Sequence, residues 1–588
     1  MSMLASLARA YDRMADRGEV PPFGYSTEKI GFVIALNEDG EPAGNPIDLR
    51  EGRGKKLTPR LMPVPQPAKR TSGIAPNFLW DKTSYVLGVT AGEGKRLHDE
   101  RAAFLKLHED ILATSEDAGL RALHRFLISW QPEQFEALGW LEDMKDQNVI
   151  FALESERLSD IYLHDRPEAR AMWARLSSDG EKSNAICLIS GDHAPIARLH
   201  PAIKGVWGAQ SSGASIVSFN LDAFTSYGHE QGDNAPVSEA AAFAYTAALN
   251  KFLEPGSRNR LQIGDASTVF WADASDVGAA RTAETIFPAW FNEVDENVEA
   301  KNVGAILEKI RNGQRLEDFA PGLAAGVRFH VLGLAPNAAR LSIRFWFEDD
   351  FCQLARNYQR FLDDLRIEPP PHKNPNPPLW RYLIETALLG KRDNVPPNLA
   401  GEWMRSILAG TRYPLTLMAN TLMRIRADGE INALRATMLK AVLNRNSKAL
   451  KGRVPVALDS ENKNKGYVLG RLFAVYENIQ TAALGRNVNA TIKDKFYGSA
   501  SAQPRKVFAL LDKGSATHLS KLGKQSSGYR VTLERQVGEI MAMMSPSEDP
   551  FPASLSSEQQ ALFALGYYHQ RSEFFKSKKT DIAEEKAA

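Results

Sequence analysis

Two His-Asp dipeptides, His98-Asp99 and His164-Asp165, are the first residues whose types suggest chemistry. Imidazole beside carboxylate can hold a divalent metal for phosphoester hydrolysis, but such a centre needs further ligands converging on the ion. His98 stands in a charged stretch (Lys95, Arg96, Asp99, Glu100, Arg101) that reads as a solvated helix face. His193 and His200 bracket Pro195 at a spacing that fits no zinc motif. Gly208-Ala209-Gln210-Ser211-Ser212-Gly213-Ala214-Ser215 has the G-x-x-x-x-G skeleton of a phosphate-binding loop, yet Ala214 stands where a lysine must reach the β- and γ-phosphates. No dinucleotide-binding G-x-G-x-x-G follows a strand, and there is no G-x-S-x-G nucleophile elbow. Cys187 and Cys352 are too few for a disulfide framework or zinc cluster, and Cys187 reads as a small core residue. No nucleophile, base and orienting group line up. The expectation is a protein without catalysis of its own and without a cofactor or metal, with a metal-dependent nuclease on His98, Asp99, His164 and Asp165 as the alternative.

The remaining polar residues are basic and loop-borne. Lys69-Arg70-Thr71-Ser72-Gly73 and Asn77 combine cations with short hydrogen-bonding side chains, a set suited to phosphates and base edges and equally to a solvated loop. Between Arg50 and Arg70 seven basic residues, including Lys55, Lys56 and Arg60, face one acid, Glu51. From Lys204 to Asn234 uncharged donors and acceptors gather, among them Gln210, Ser211, Ser212 and Asn220; buried scaffolding and a base-reading surface both fit them. Between Leu379 and Arg530, 25 Lys+Arg stand against 10 Asp+Glu, so a net charge of +1 hides two basic regions. Asymmetry of this kind points to polyanionic partners.

These residues are carried by a mixed set of elements. Apolar spacing predicts a helix over 2–17, strands at Ile30–Leu36 and Ile47–Leu49, and helices at Arg96–Ala113 and Ala118–Trp130. Strands follow at Val149–Leu153, Ala185–Ser190, Ser215–Asn220 and Thr268–Trp271, with a helix at Ser238–Leu253. Five prolines make Gly52–Pro76 an extended loop. Arg328–Leu334 and Arg340–Phe347 form a strand–turn–strand leading into a helix over Asp350–Arg366. Six prolines in 368–378 read as a stiff spacer. Beyond it the pattern is helical, including a short helix at Lys506–Leu511. The expected class is α+β and multi-domain: a mixed α/β portion over 1–367, the linker 368–378, and a helical bundle over 379–588.

Size and composition agree with such a protein. At 588 residues, with 43% hydrophobic and 24% charged residues, the chain can bury a sizeable core and is no disordered scaffold. No apolar run approaches the ~20 residues that cross a bilayer, and the N-terminus lacks a signal peptide's basic and apolar regions. A cytoplasmic protein with no membrane partner is expected.

Four blocks in order along the first 350 residues carry a family resemblance. They are Val64-Pro65 through Lys69-Arg70-Thr71-Ser72-Gly73-Ile74 to Asn77-Phe78-Leu79 and Tyr85-Val86-Leu87-Gly88; Leu199-His200-Pro201 with Ile203-Lys204-Gly205-Val206; Gly208–Ala214 with Ser218-Phe219-Asn220 and Ser226-Tyr227-Gly228; and Leu332-Gly333-Leu334-Ala335-Pro336-Asn337-Ala338-Ala339-Arg340. Gly470-Arg471-Leu472-Phe473-Ala474 extends them. Together they resemble the large subunit of the subtype I-C CRISPR Cascade surveillance complex.

The resemblance implies a non-catalytic role in which the guide RNA reads the target by base pairing. The subunit recognises the short protospacer-adjacent motif (PAM) in duplex DNA, promotes strand opening, steadies the displaced strand and recruits the helicase–nuclease. A comparable division between protein and guide holds for single-protein effectors. The implied partners are the guide-RNA-bearing complex, with its repeat backbone subunits and guide 5′-end subunit, double-stranded target DNA and the displaced strand. A further implied partner is a small subunit made from the chain's own C-terminal region, beginning near Val454. Lys69, Arg70, Ser72 and Asn77 are implied as phosphate and groove contacts, Gln210, Ser211, Ser212 and Asn220 as base-proximal groups. Lys204 and Arg471 lie in matched blocks, whereas Lys55, Lys56 and Arg60 rest on charge alone. Arg471, Arg486, Lys493, Lys495, Arg505 and Lys506 would track a strand electrostatically. A DNA-free assembly scaffold is the remaining reading.

Overall fold

The computed structural model describes residues 2–53, 56–68, 73–178, 183–219, 221–291, 298–324, 326–371, 376–396, 398–450, 452–485 and 489–585. About 51% of the chain is helical and 15% strand, with a mixed α/β N-terminal region and a helical C-terminal region. This is the α+β class that the apolar periodicities predict. The chain divides into two compact units, one of residues 1–203 and 217–251, the other of residues 204–216 and 252–588.

The first unit opens with α1 (Met3–Asp16), whose Ser2 side chain accepts from the Ala5 amide as N-cap. Strands β1 (Tyr25–Ile30), β2 (Phe32–Leu36), β3 (Ile47–Asp48), β4 (Glu51–Arg53), β5 (Lys56–Thr58), β6 (Arg60–Pro65) and β7 (Asp81–Lys82) follow. Helices α2 (Leu97–Leu112) and α3 (Ala118–Ser129) then lead to β8 (Asn148–Leu153). The order β3-β2-β8-β7 has a parallel centre, Phe32 opposite Val149 through Leu36 opposite Leu153. Both central strands are apolar along their length because both faces are covered. Phe32, Ile34, Phe151 and Leu153 pack with Phe104, Leu123 and Phe126 of α2 and α3. Val33, Ile150 and Ala152 pack on the opposite side with Met62, Val64 and Trp80. After α4 (Pro167–Ser178), the short pair β9 (Asn184–Ile186) and β10 (His193–Pro195), and irregular chain comes α5 (Glu239–Leu253).

The second unit centres on an antiparallel meander of β11 (Arg260–Ile263), β12 (Ala266–Asp273), β13 (Arg328–Asn337) and β14 (Arg340–Asp350). Its register shifts at Gly333/Leu334, where a Cβ on Gly333 would lie 2.3 Å from the Phe345 ring. Helices α6 (Val277–Ala289) and α7 (Phe351–Leu365) cover the sheet. Then come α8 (Leu399–Ala409), α9 (Leu415–Asp428), α10 (Ala433–Asn446), α11 (Lys465–Leu484), α12 (Ile492–Ala502), α13 (Pro504–Gly523), α14 (Ser527–Ala542) and α15 (Ser557–Glu585).

The compact units depart from the domain boundary expected at 368–378. One hydrophobic core runs from Leu261 to Tyr568 without a break at the prolines. The sheet leaves apolar surface for α8: a Cβ on Gly264 would lie 2.5 Å from Ala400 Cβ, and Gly401 lies against Phe345. The proline segment is tied in as well, since Glu368 N–H donates to Val456 O (2.8 Å) and Tyr568 O–H to Pro369 O (2.7 Å).

Three further expectations change. The segment 52–76 carries a β4–β5 hairpin and β6, which pairs with β1 from Tyr25–Pro65 to Ile30–Arg60. Pro63 and Pro65 are accommodated because β6 is an edge strand, where a missing N–H costs no ladder bond. The strand expected at Ser215–Asn220 is a single bridge from Ser215 to Arg340, and Asn220 lies outside the described residues. The short helix expected at Lys506–Leu511 extends to Gly523, because Val507, Phe508, Leu511, Ser515, Leu519 and Leu522 form one buried stripe that overrides Gly514 and Thr517.

Candidate nucleic-acid interface

In the first unit the β4–β5 hairpin pairs Arg53 with Lys56 at its connecting end, and the residues between them, Gly54 and Lys55, lie outside the described residues. Arg60 is exposed at the start of β6. Lys69, Arg70 and Ser72 also lie outside the described residues, but the neck of their loop is visible. Asn77 Oδ1 accepts from Ala68 N–H (3.0 Å), and Asn77 N–H donates to Asp81 Oδ2 (2.8 Å). Trp80 Nε1–H donates to Pro65 O (2.8 Å), closing the neck a second time. The expectation that Asn77 touches a groove meets a physical obstacle: the residue is 4% exposed and its amide oxygen holds the loop shut. Beneath it, Leu79 adopts φ +63° and donates its N–H to His108 Nε2 (2.8 Å). His108 Nδ1 lies 2.8 Å from Phe104 O, so the imidazole is neutral with its proton on Nδ1. Burial pushes its pKa down to about 4.

In the second unit, the loop 204–216 joins two blocks that are far apart in sequence. Ser215 N–H donates to Ala339 O (3.2 Å) and Leu341 N–H to Ser215 O (3.0 Å), so the loop lies along the β13–β14 turn. Gly208 rests against Pro336, where a Cβ would be 3.5 Å from the ring, and its φ of +75° suits glycine. Trp207 N–H donates to the buried Ser267 Oγ (2.9 Å) and anchors the other limb. On this base Lys204, Gln210, Ser211 and Ser212 are exposed. Trp207 is 68% exposed beside them, a residue the sequence reading passed over. Its signal was there to read: an aromatic between Gly205 and Gly208 in an otherwise polar loop. An exposed ring beside amide, hydroxyl and ammonium groups can stack on a base while the polar groups reach edges or phosphates. In the first unit Tyr227 is fully exposed at φ +52° on a turn closed by Ser226 and His229.

Arg471 is placed otherwise than its charge suggests. It is 7% exposed; Nε donates to Gln570 Oε1 (3.1 Å), and one terminal nitrogen reaches Asp459 O (3.4 Å) and Ser460 O (3.2 Å). The Gly470-Arg471 block belongs to the α11–α15 packing, where a Cβ on Gly470 would lie 2.0 Å from Phe563 O. Its guanidinium is therefore committed inside the protein.

The residues considered for metal chemistry do not converge. His98 and Asp99 are exposed on the first turn of α2, 3.5 Å apart, whereas His164 is buried at 1% exposure. Among the described residues no group of three or more His, Cys, Asp or Glu is placed to hold an ion. A cleft of about 380 Å3 lined by Lys82, Thr90, Lys95, Arg96, Glu100 and Asp146 is internally paired. Thr90 donates to Asp146 (2.6 Å), Lys95 meets Glu93 (2.9 Å) and Arg96 meets Glu100 (3.6 Å). Among the described residues no helix is long and apolar enough to cross a membrane.

The family model of the CRISPR-associated protein (Cas_Csd1) matches residues 7–575, which places this chain among CRISPR-associated proteins. The chain belongs to the Csd1 family and is a subunit of a CRISPR Cascade complex. The match extends the four-block resemblance over nearly the whole chain. No curated protein matches it.

Proposed function

We propose that this subunit reads the PAM in double-stranded DNA, promotes strand opening, stabilises the resulting R-loop and helps recruit the helicase–nuclease, with no catalysis of its own. Its setting is the cytoplasm, with the repeat backbone subunits, the guide 5′-end subunit and a small subunit made from its own C-terminal region as neighbours. The carrying observation is the loop 204–216, fixed on the β13–β14 turn with Lys204, Trp207, Gln210, Ser211 and Ser212 turned to solvent. Family membership supplies the nucleic-acid setting. In that setting an anchored loop bearing one cation, one ring and three uncharged hydrogen-bonding side chains suits base-edge reading better than general phosphate binding.

The test uses the assembled complex and two duplexes, one with its PAM and one with the PAM scrambled. Replacing Gln210, Ser211 and Ser212 by Ala should weaken binding to the PAM duplex at least about tenfold, since each well-placed base contact contributes roughly 1–3 kcal/mol of discrimination. Binding to the scrambled duplex and assembly should be unchanged. Reversing Lys69 and Arg70 to Glu should weaken both duplexes alike and reduce the salt slope. Equal affinity of the triple Ala variant and the parent for the PAM duplex would overturn the assignment of the loop. Cleavage of either duplex by the purified chain with magnesium or manganese would overturn the non-catalytic reading.

A further inference from the structure

In the first unit the largely irregular stretches 184–203 and 217–238 are tied together by backbone bonds. Leu188 N–H donates to Pro236 O (2.9 Å), Ala197 N–H to Val237 O (2.9 Å) and Gly232 N–H to Arg198 O (3.2 Å). The strands of chain lie so close that a Cβ on Gly232 would stand 2.1 Å from Ala197 O. On this base stands the turn Ser226–His229, closed by His229 N–H donating to Ser226 O (2.9 Å). Asn234 Nδ2–H donates to His229 O and to Gln231 O (both 3.1 Å), and Arg198 Nε–H donates to Gln231 Oε1 (2.8 Å).

Two residues here are left-handed without being glycine: Tyr227 at φ +52° and Gln231 at φ +45°. A bulky side chain in that region costs free energy, and such strain gathers where a protein binds or reacts. Tyr227 recovers none of it by burial, for its side chain is fully exposed. Leu221, whose carbonyl accepts the Phe224 N–H ahead of the turn, and Leu199, which follows Arg198, are exposed as well. The charge around them is acidic. Over the two stretches Asp192, Asp222, Glu230 and Asp233 stand against a single cation, Arg198. All four carboxylates are exposed, and none meets a cation within ion-pair distance among the described residues.

We propose that the Tyr227 turn is a docking point for another protein subunit of the complex, whose Arg or Lys side chain lies over the Tyr227 ring. Asp222, Glu230 and Asp233 repel phosphates, so the occupant is a basic protein face and not a nucleic acid. A cation over an aromatic face is attracted to it, more strongly as the contact is desolvated. Tyrosine and arginine are the residues that interfaces enrich for this reason. The bonds that lock Gln231 and His229 hold the ring ready, so little freedom is lost when the partner arrives. The proposal rests on membership of the complex and not on PAM reading.

The test reconstitutes the complex from limiting amounts of the other subunits and the guide, with an equal mixture of parent and variant full-length chain in excess. Intact mass then reads which chain is incorporated. Tyr227→Gly should enter at least about tenfold less than the parent, as for loss of a central ring anchor. Tyr227→Phe should compete equally with the parent, because the ring face and not the hydroxyl makes the contact. Glycine suits φ +52°, so the urea midpoint of free Tyr227→Gly should be no lower than the parent's. A lower midpoint would assign the ring to the fold and overturn the docking point. The triple variant Asp222→Asn, Glu230→Gln, Asp233→Asn should enter less than the parent at low salt and approach it at high salt. Photo-crosslinking from benzoylphenylalanine at position 227 of the assembled complex should label another protein subunit. Equal incorporation of Tyr227→Gly and the parent overturns the proposal, as does crosslinking to the guide, to DNA or to a second copy of this chain. If Ala at positions 210–212 leaves PAM binding intact while Tyr227→Gly is still excluded, PAM reading by that loop fails and the docking point stands.

Discussion

His108 accepts the Leu79 N–H at Nε2 and faces Phe104 O through Nδ1, so protonation would remove the acceptor that holds Leu79 in its left-handed conformation. Its folded pKa of about 4 lies below the ordinary 6.5, so its contribution is complete above pH 6.5. It is lost as pH falls from 6.5 towards 4, by up to about 3 kcal/mol at 1.36 kcal/mol per unit. Urea unfolding between pH 4 and 7 should show this loss in the parent and a flatter profile in His108→Gln; identical profiles would remove His108 from the acid response. Asn77 illustrates how residue type misleads at this scale. A short amide in a basic loop suits DNA, but the same amide suits a loop neck, and only its bond to Ala68 N–H decides between them.

α11 and α15 are brought together by missing side chains. A Cβ on Gly466 would lie 2.3 Å from Gln559 O, on Gly470 2.0 Å from Phe563 O, and on Gly566 2.2 Å from Tyr467 O. Each neighbour is backbone and cannot rotate aside. The contact buries Tyr467, Phe473, Phe563 and Tyr567, and Tyr567 O–H donates to Glu477 Oε2 (2.5 Å). Gly470→Ala should therefore destabilise the protein by about 3 kcal/mol, the upper range for overpacking, in urea melts. Gly498 of α12 has nothing within 4 Å of its Cβ position, so Gly498→Ala should be neutral or stabilise by about 0.5–1 kcal/mol through helix propensity. Equal effects of the two substitutions would refute the close-packing account. The Gly470 block was legible in the sequence as a distinctive run, but its purpose was not, because the partner glycine lies almost a hundred residues away.

At the scale of the molecule, the proline segment does not divide two domains. The sheet of β11 to β14 shares its core with α8 and later helices, so a fragment ending at residue 378 would leave that apolar face bare. Such a fragment should aggregate or bind a hydrophobic dye, whereas limited proteolysis of the whole chain should preserve a fragment beginning near residue 252. A well-folded monomer of residues 1–378 would contradict the shared core. Charge behaves likewise: an excess of 15 basic residues between Leu379 and Arg530 reads as one polycationic surface, yet folding buries Arg435, Arg445 and Arg471 against internal partners and leaves others, such as the α13 lysines, exposed, while Arg486 lies outside the described residues.

The sequence by itself determined the α+β class, most element positions and the family, because apolar periodicity and local motif runs are properties of neighbouring residues. It located the basic and polar loops for the same reason. Only the tertiary structure decided which of those polar groups face water, where the compact units divide, and that the blocks at 208–215 and 332–340 meet at one turn. Those outcomes depend on apolar surface buried between segments hundreds of residues apart, and on carboxylates and carbonyls that reach the cations only after the chain has closed.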